Sequence, residues 1–261
     1  MELTLNELLN GKGTKIRNNE YLTTAQYVEP FIEKMSKYTD NFLVQAKLPT
    51  QVSLTTQEDI RDIDIVYNRV WVQAVLPNEY CYTGHQMVVG LVYGLDTRKP
   101  VAKIYVGALR SACLNLCVFN PSFLEVQYLE PERPINYKCV EPLMEQESDI
   151  AKWLIMLEEM EVPYNIPYIN EMLGAWVRNS LSASFDNGYG KVKLATATAV
   201  DAYKLLYEDE ESDYYVSPGQ STNMFNVYNA FTQLISNTDT RDIINKVEKI
   251  LLLKKVLDLS I

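Results

Sequence analysis

The first half of the chain gathers its apolar residues into short runs separated by polar or proline-containing links. Residues 42–48 (ended by Pro49), 67–76, 86–93 and 101–106 are rich in β-branched and aromatic side chains, the composition of strands. Gly94-Leu95-Asp96-Thr97-Arg98-Lys99-Pro100 joins the last two runs. A polar link this short suits an antiparallel hairpin, because a parallel crossover needs a dozen residues or more. The pattern predicts an antiparallel meander, preceded by an amphipathic helix over 25–37.

After residue 106 the spacing changes. Leu109, Cys113 and Leu116 or Cys117 share a face at helical spacing, which predicts a buried helix over 108–118. Pro121, Pro131, Pro134 and Pro142 make 120–145 loop-rich, with one strand at 123–128. Beyond that the period is helical. Ser148 caps a helix that Pro163 ends, and another covers 167–181. The stripe Val192, Ala195, Ala199, Ala202, Tyr203 and Leu206 marks a third, and two more cover 222–235 and 240–257. Glu208-Asp209-Glu210-Glu211-Ser212-Asp213 is an acidic surface loop. The expected fold is α+β: an antiparallel β-meander in the N-terminal half packed against a mainly helical C-terminal half. Residues 1–261 are expected to form a single domain, strand-rich over 1–143 and helical over 144–261.

Composition agrees with a globular protein: 47% of the 261 residues are hydrophobic and 22% charged. The first residues lack the basic and apolar regions of a secretory signal. No uncharged apolar stretch is long enough to span a bilayer, since Lys103 and Arg110 interrupt the best candidate, so no membrane partner is expected. Four cysteines without an export signal read as reduced thiols. The net charge of −10 is unevenly spread. Residues 1–143 carry 14 Lys+Arg against 16 Asp+Glu, and the remainder 10 against 18, so a polyanion would have to meet the first part.

Little in the chain suggests catalysis. The single histidine, His85, has no nucleophile motif beside it. Cys81, Cys113, Cys117 and Cys139 lack the paired Cys-x-x-Cys spacing of a zinc site. Asp62 and Asp64 lack further ligands at an interpretable spacing, and Gly11-Lys12-Gly13-Thr14-Lys15 lacks the frame of a phosphate loop. The expectation is a protein that is not an enzyme, with no cofactor and no metal.

Two sets of residues stand out. Arg69, Arg98, Lys99, Lys103 and Arg110 are interleaved with Tyr67, Trp71, Tyr93 and Tyr105. Single-stranded nucleic acid is bound by such mixtures, cations on phosphates and rings on bases, with Trp71 and Tyr93 as the stacking candidates. The alternative is a sheet with one buried aromatic face and scattered surface charges. The second set is polar residues within apolar stretches: Arg110 and Asn115 in the 107–118 block, and Asn229 late in the chain. Such groups are costly to bury unpaired, so they imply a specific bonding arrangement.

Arg110-Ser111-Ala112-Cys113-Leu114-Asn115 and Tyr228-Asn229-Ala230-Phe231-Thr232 resemble two blocks of a widespread family of uncharacterised phage and plasmid proteins. That family is a domain of unknown function with an Arg-x-x-Cys-x-Asn block and a downstream Tyr-Asn-Ala-x-Thr helix. The strand ending in Leu76-Pro77 and the turn Tyr93-Gly94-Leu95-Asp96 resemble it as well, whereas Asn237 stands near the place of a histidine that members often carry. On the residues alone, Arg110, Asn115 and Asn229 are expected to be structural, bonding buried backbone groups and docking the helices onto the sheet, with Cys113 a buried thiol. The resemblance implies a phage or mobile-element protein in the host cytoplasm. The leading expectation is non-catalytic binding of single-stranded nucleic acid in replication or recombination, as a homo-oligomer. The rival is a virion component or a protein that engages a phage or host protein. The apolar stripe Ile243, Ile244, Val247, Ile250 and Leu251 would then either bind that partner or pack on its own core.

Overall fold

The computed structural model describes residues 4–10, 15–16, 19–47, 69–77, 81–82, 84–95, 100–110, 115–188, 190–237 and 244–259. The class is α+β, with an antiparallel sheet in the first half of the chain and helices in the second. The chain forms two compact units. One comprises Met1–Val106 and Ser122–Glu145, the other Gly107–Pro121 and Gln146–Ile261. The units are therefore not the uninterrupted halves 1–143 and 144–261, because residues 107–121 belong with the helices.

In the first unit α1 (Leu5–Leu9), the ladder of β1 (Lys15–Ile16) with β2 (Asn19–Glu20), and α2 (Thr24–Met35) precede the sheet. A capping box starts α2: the Thr23 hydroxyl accepts from the Gln26 N–H and the Gln26 side chain accepts from the Thr23 N–H. Tyr27, Val28, Phe31 and Met35 form its buried stripe. The sheet runs through β3 (Phe42–Lys47), β4 (Arg69–Val75), β6 (His85–Gly94) and β7 (Val101–Arg110), with the short β5 (Cys81–Tyr82) pairing with β6. The β3/β4 and β4/β6 ladders are antiparallel. After β8 (Leu116–Cys117), which belongs to the second unit, β9 (Leu124–Tyr128) pairs antiparallel with β7 from Val101↔Tyr128 to Tyr105↔Leu124. The short helix α3 (Val140–Met144) ends the unit.

One glycine explains how the aromatic face of this sheet closes. Gly90 on β6 lies opposite Gln73 on β4. A Cβ there would sit 2.1 Å from the Tyr105 ring, so only glycine leaves room for Tyr105 beside that strand. The Tyr105 hydroxyl then accepts from Trp71 Nε1–H at 2.5 Å and from Gln73 Nε2–H at 2.8 Å. Burial holds the Tyr105 phenol well above its ordinary pKa, and those two donors pull it back only in part.

The second unit contains α4 (Glu147–Glu159), β10 (Glu161–Val162), α5 (Ile166–Ser182), β11 (Phe185–Asp186), β12 (Lys191–Val192), α6 (Thr196–Tyr207), β13 (Thr222–Asn223), α7 (Met224–Asn237) and α8 (Lys246–Val256). Helix α7 is its centre: every residue from 227 to 232 is buried, and α4, α6, α8 and β8 all touch it. Phe231 meets Trp176 of α5 edge-on at 5.2 Å, and Phe119 lies between Trp153 and Tyr228 at 5.7 and 5.4 Å. Ile244, Val247, Ile250 and Leu251 are buried within this unit, so these positions of the C-terminal stripe are spent on its own core.

The described residues of 108–118 do not form the helix expected there. Strand β7 continues to Arg110, and β8 pairs with it antiparallel through Ala108↔Cys117 and Leu109↔Leu116. The Arg110 N–H donates to the Asn115 carbonyl at 3.1 Å, closing a hairpin. The same apolar positions satisfy a helical spacing and a strand pair, and Gly107 decides between them. A Cβ on Gly107 would come within 2.5 Å of the Cys117 carbonyl, so its absence lets β8 approach.

Candidate functional site

The 107–117 hairpin carries Arg110 and Asn115 into the helical unit, where the third polar residue, Asn229, comes from α7. Asn115 is buried, and its Nδ2–H donates to the Tyr214 hydroxyl at 2.9 Å and to the Asn229 carbonyl at 3.5 Å. Asn226 Nδ2–H donates to the Tyr214 carbonyl at 3.0 Å, and Thr232 Oγ1–H donates to the Asn229 carbonyl at 3.1 Å. The structure brings the trio together, with Asn115 buried and hydrogen-bonded.

Asn229 bonds a backbone group too, the Phe225 carbonyl, whereas the Arg110 guanidinium bonds none among the described residues. Both line an open cavity of about 560 Å³ in the helical unit, together with Glu158 and Glu159 from the end of α4, Glu161 of β10 and Asn226 of α7. Ser221, Thr222, Asn223 and Phe225 complete the wall. Antiparallel pairing of Glu161 with Asn223 brings the two sides together, and the Asn223 side chain accepts from the Asn226 N–H at the start of α7. The Arg110 guanidinium lies over the Tyr214 ring, 5.9 Å from its centroid. Among the described residues it forms no ion pair and no hydrogen bond, although three carboxylates line the same cavity.

Asn229 is fully buried, and its amide orientation is fixed by its neighbour. Its Nδ2–H donates to the Phe225 carbonyl at 2.9 Å, a partner that only the nitrogen can serve. Oδ1 must therefore point the other way, where it meets no donor among the described residues. A buried acceptor left empty costs about 1–3 kcal/mol. Glu158 and Glu159 also sit where they cost stability, since the carbonyl end of a helix disfavours carboxylates by about 0.3–1 kcal/mol each. Arg110, whose guanidinium has no ion pair or hydrogen bond among the described residues, and three locally unfavourable acids thus line one open cavity, while Asn229 in its wall keeps its unpartnered Oδ1 buried; unmet charge gathered this way distinguishes a ligand site from a folding clamp.

The nucleic-acid site expected on the sheet is not assembled as foreseen. Trp71 is 5% exposed with its N–H committed to Tyr105, and Tyr93 is 0% exposed with its ring 5.3 Å from that of Tyr27. Neither ring offers a face to a base. Lys103 is 1% exposed, so it is not a surface phosphate contact. Arg69 on β4 is half-buried, and Arg110 faces the acidic cavity. Arg98, Lys99 and Cys113 lie outside the described residues. The reason is ordinary: aromatic-rich strands use their rings to fill a core, and composition does not say which face is outermost.

His85 is buried at the start of β6, and Cys117 is buried in the second unit. Burial, with Glu125 nearby, pushes the half-buried Cys139 thiol up to about 11. Among the described residues there is no group of three or more His, Cys, Asp or Glu side chains placed to hold a metal ion, and no helix long and apolar enough to cross a membrane. Glu158, Glu159, Glu161, Tyr214 and Asn226 were not singled out by sequence reasoning. The available signal was faint: acids crowding a helix C-terminus, and asparagines crowding the start of another.

No family model, curated protein or solved structure matches this chain.

Proposed function

We propose that the protein is a non-catalytic binding protein that acts through the Arg110–Asn229 pocket, taking a small ligand that carries both an anionic and a hydrogen-donating or cationic group. An amino acid or a short polar peptide segment has that chemistry. A carboxylate suits the Arg110 fork, and an ammonium or other positive end suits Glu158, Glu159 and Glu161. The cavity has the size of a small-molecule site but is more polar than most, which suits a well-hydrated ligand. The Arg110 guanidinium, without an ion pair or hydrogen bond among the described residues and set in an open cavity with three carboxylates, carries the reading. Among the described residues neither histidine nor cysteine lines the cavity, and the role proposed for it is binding. Three carboxylates around one arginine also disfavour a polyanion there. In the phage or plasmid setting that the motif resemblance implies, the ligand belongs to a host or phage protein segment, or to the host's amino-acid pool.

A thermal-shift screen of the twenty free amino acids and a set of dipeptides, with a dT12 oligonucleotide alongside, tests this. At tenfold excess over Kd a ligand should raise Tm by about 3 °C, a gain that Arg110→Ala abolishes. If none of these compounds shifts Tm while dT12 does, the pocket reading fails and the nucleic-acid reading returns.

A further inference from the structure

A second feature of the helical unit is independent of the pocket. Tyr203 and Tyr207 lie one turn apart at the end of α6 with ring centroids 5.4 Å apart. Tyr164, two residues before α5, meets Tyr207 edge-on at 6.1 Å. In the first turn of α5, Tyr168 is 43% exposed and Ile166 63%. Tyr215 joins the group from beyond the loop: the Val216 N–H next to it donates to the Leu206 carbonyl at 2.8 Å, which sets Tyr215 beside the end of α6, and desolvation, then the charges of Glu210 and Tyr164, push its phenol up. The Tyr207 phenol is pushed up to about 12 by burial, with Tyr168, Tyr203 and Tyr164 adding to it, and among the described residues its hydroxyl has no hydrogen-bond partner.

The chain that links Tyr207 to Tyr215 is the acidic loop. Glu208, Asp209, Glu210, Glu211 and Asp213 are all exposed, and among the described residues none of them is in an ion pair. Aromatic faces carry negative potential, so rings set beside unpaired carboxylates reinforce one another in attracting a cation. A solvated loop alone needs no aromatic neighbours, and a folding core has no use for Ile166 and Tyr168 on the outside.

We infer that this tyrosine face docks a basic segment of a partner protein, whose lysine or arginine side chains seat against Tyr168 and Tyr215 while the 208–213 loop supplies the counter-charge. Charge complementarity selects this occupant. Nucleic acid is repelled by the loop. A second copy of the chain in a two-fold contact would set the loop against itself. A purely apolar groove-binder would leave the phenol hydroxyls unsatisfied.

Calorimetric titration of the full-length protein with a hexalysine peptide, blocked at both ends, tests the inference in 0.15 M salt. Binding should weaken about two- to fivefold for each ring lost, so Tyr168→Ser with Tyr215→Ser should weaken it about tenfold at unchanged net charge. Tyr168→Phe with Tyr215→Phe keeps the rings and should keep the affinity. Glu210→Gln with Glu211→Gln should also weaken binding and flatten its salt dependence. The inference is overturned if hexalysine does not bind, if the serine pair binds as the unmodified protein does, or if the protein self-associates through this face without peptide. Should the serine pair misfold, the phenylalanine pair and amide resonances of the loop give the same decision: loss of affinity with Phe, or shifts elsewhere, refutes it.

Discussion

Asn229→Ala is the sharpest perturbation of the pocket, because a ligand site and a folding clamp predict opposite energetic outcomes. The substitution removes the bond from Nδ2 to the Phe225 carbonyl, worth about 1 kcal/mol, but that carbonyl keeps its helical partner. It also removes the empty buried acceptor Oδ1, a relief of about 1–3 kcal/mol, and gains about 0.6 kcal/mol of helix propensity. The variant should therefore match the parent in stability or exceed it by up to about 2 kcal/mol, although the residue is fully buried. Asn115→Ala is the internal control. It loses bonds to the Tyr214 hydroxyl and the Asn229 carbonyl with no orphan relieved, and should cost about 2 kcal/mol. Urea denaturation of a Trp71→Phe background reads the helical unit alone, because the remaining tryptophans, Trp153 and Trp176, both lie in it. Equal destabilisation by the two alanines at equal m-values would show that Oδ1 is satisfied in the native protein, and the pocket argument would fall.

Three further outcomes follow from the geometry. Gly90→Ala should destabilise the sheet by about 3 kcal/mol in urea, from overpacking against Tyr105 and strain on its two hydrogen bonds; a loss under about 0.5 kcal/mol would mean that Tyr105 does not lie beside Gly90. Glu141, 2.5 Å from Lys34, has its carboxyl held below the usual range chiefly by that partner. The pair's stabilisation is present at neutral pH and lost as pH falls through the depressed value, so Glu141→Gln should cost under about 1 kcal/mol at pH 7 and nothing in strong acid, whereas a cost that persists there would contradict it. Burial raises the Tyr27 phenol from 10.0 to about 12. The folded state then holds a proton that the unfolded chain releases near 10, so this contribution is full below pH 10 and lost as pH rises through about 12. Absorbance at alkaline pH should show some of the 18 tyrosines titrating late, and a single transition near 10 would refute the burial.

Much of the fold could be read from residue patterns. Strands β3, β4, β6, β7 and β9 and the five longer helices of the second unit lie where β-branched runs, prolines and helical stripes put them. The hairpin at 107–117 was misread because Leu109, Leu116 and Cys117 fit two periods equally well. The meaning of Gly107 appears only once the Cys117 carbonyl is beside it. Trp71 and Tyr93 looked like stacking platforms because exposure is a property of both faces of a sheet, and one strand's sequence shows neither neighbour. Arg110 drew attention for the right reason, as a costly cation in an apolar stretch. Its setting was illegible, since Glu158, Glu159 and Glu161 stand some fifty residues away and only tertiary structure brings them to it.

The central claim is that Arg110 presents unmet hydrogen-bonding capacity to an open cavity lined by three carboxylates. A high-resolution crystal structure of the protein grown with the amino-acid and dipeptide mixture tests it most directly. The account predicts density for a ligand held by the Arg110 guanidinium, with the three glutamates beside its positive end. A guanidinium turned inward onto Asn229 Oδ1, with the cavity closed and empty of solute, would contradict it.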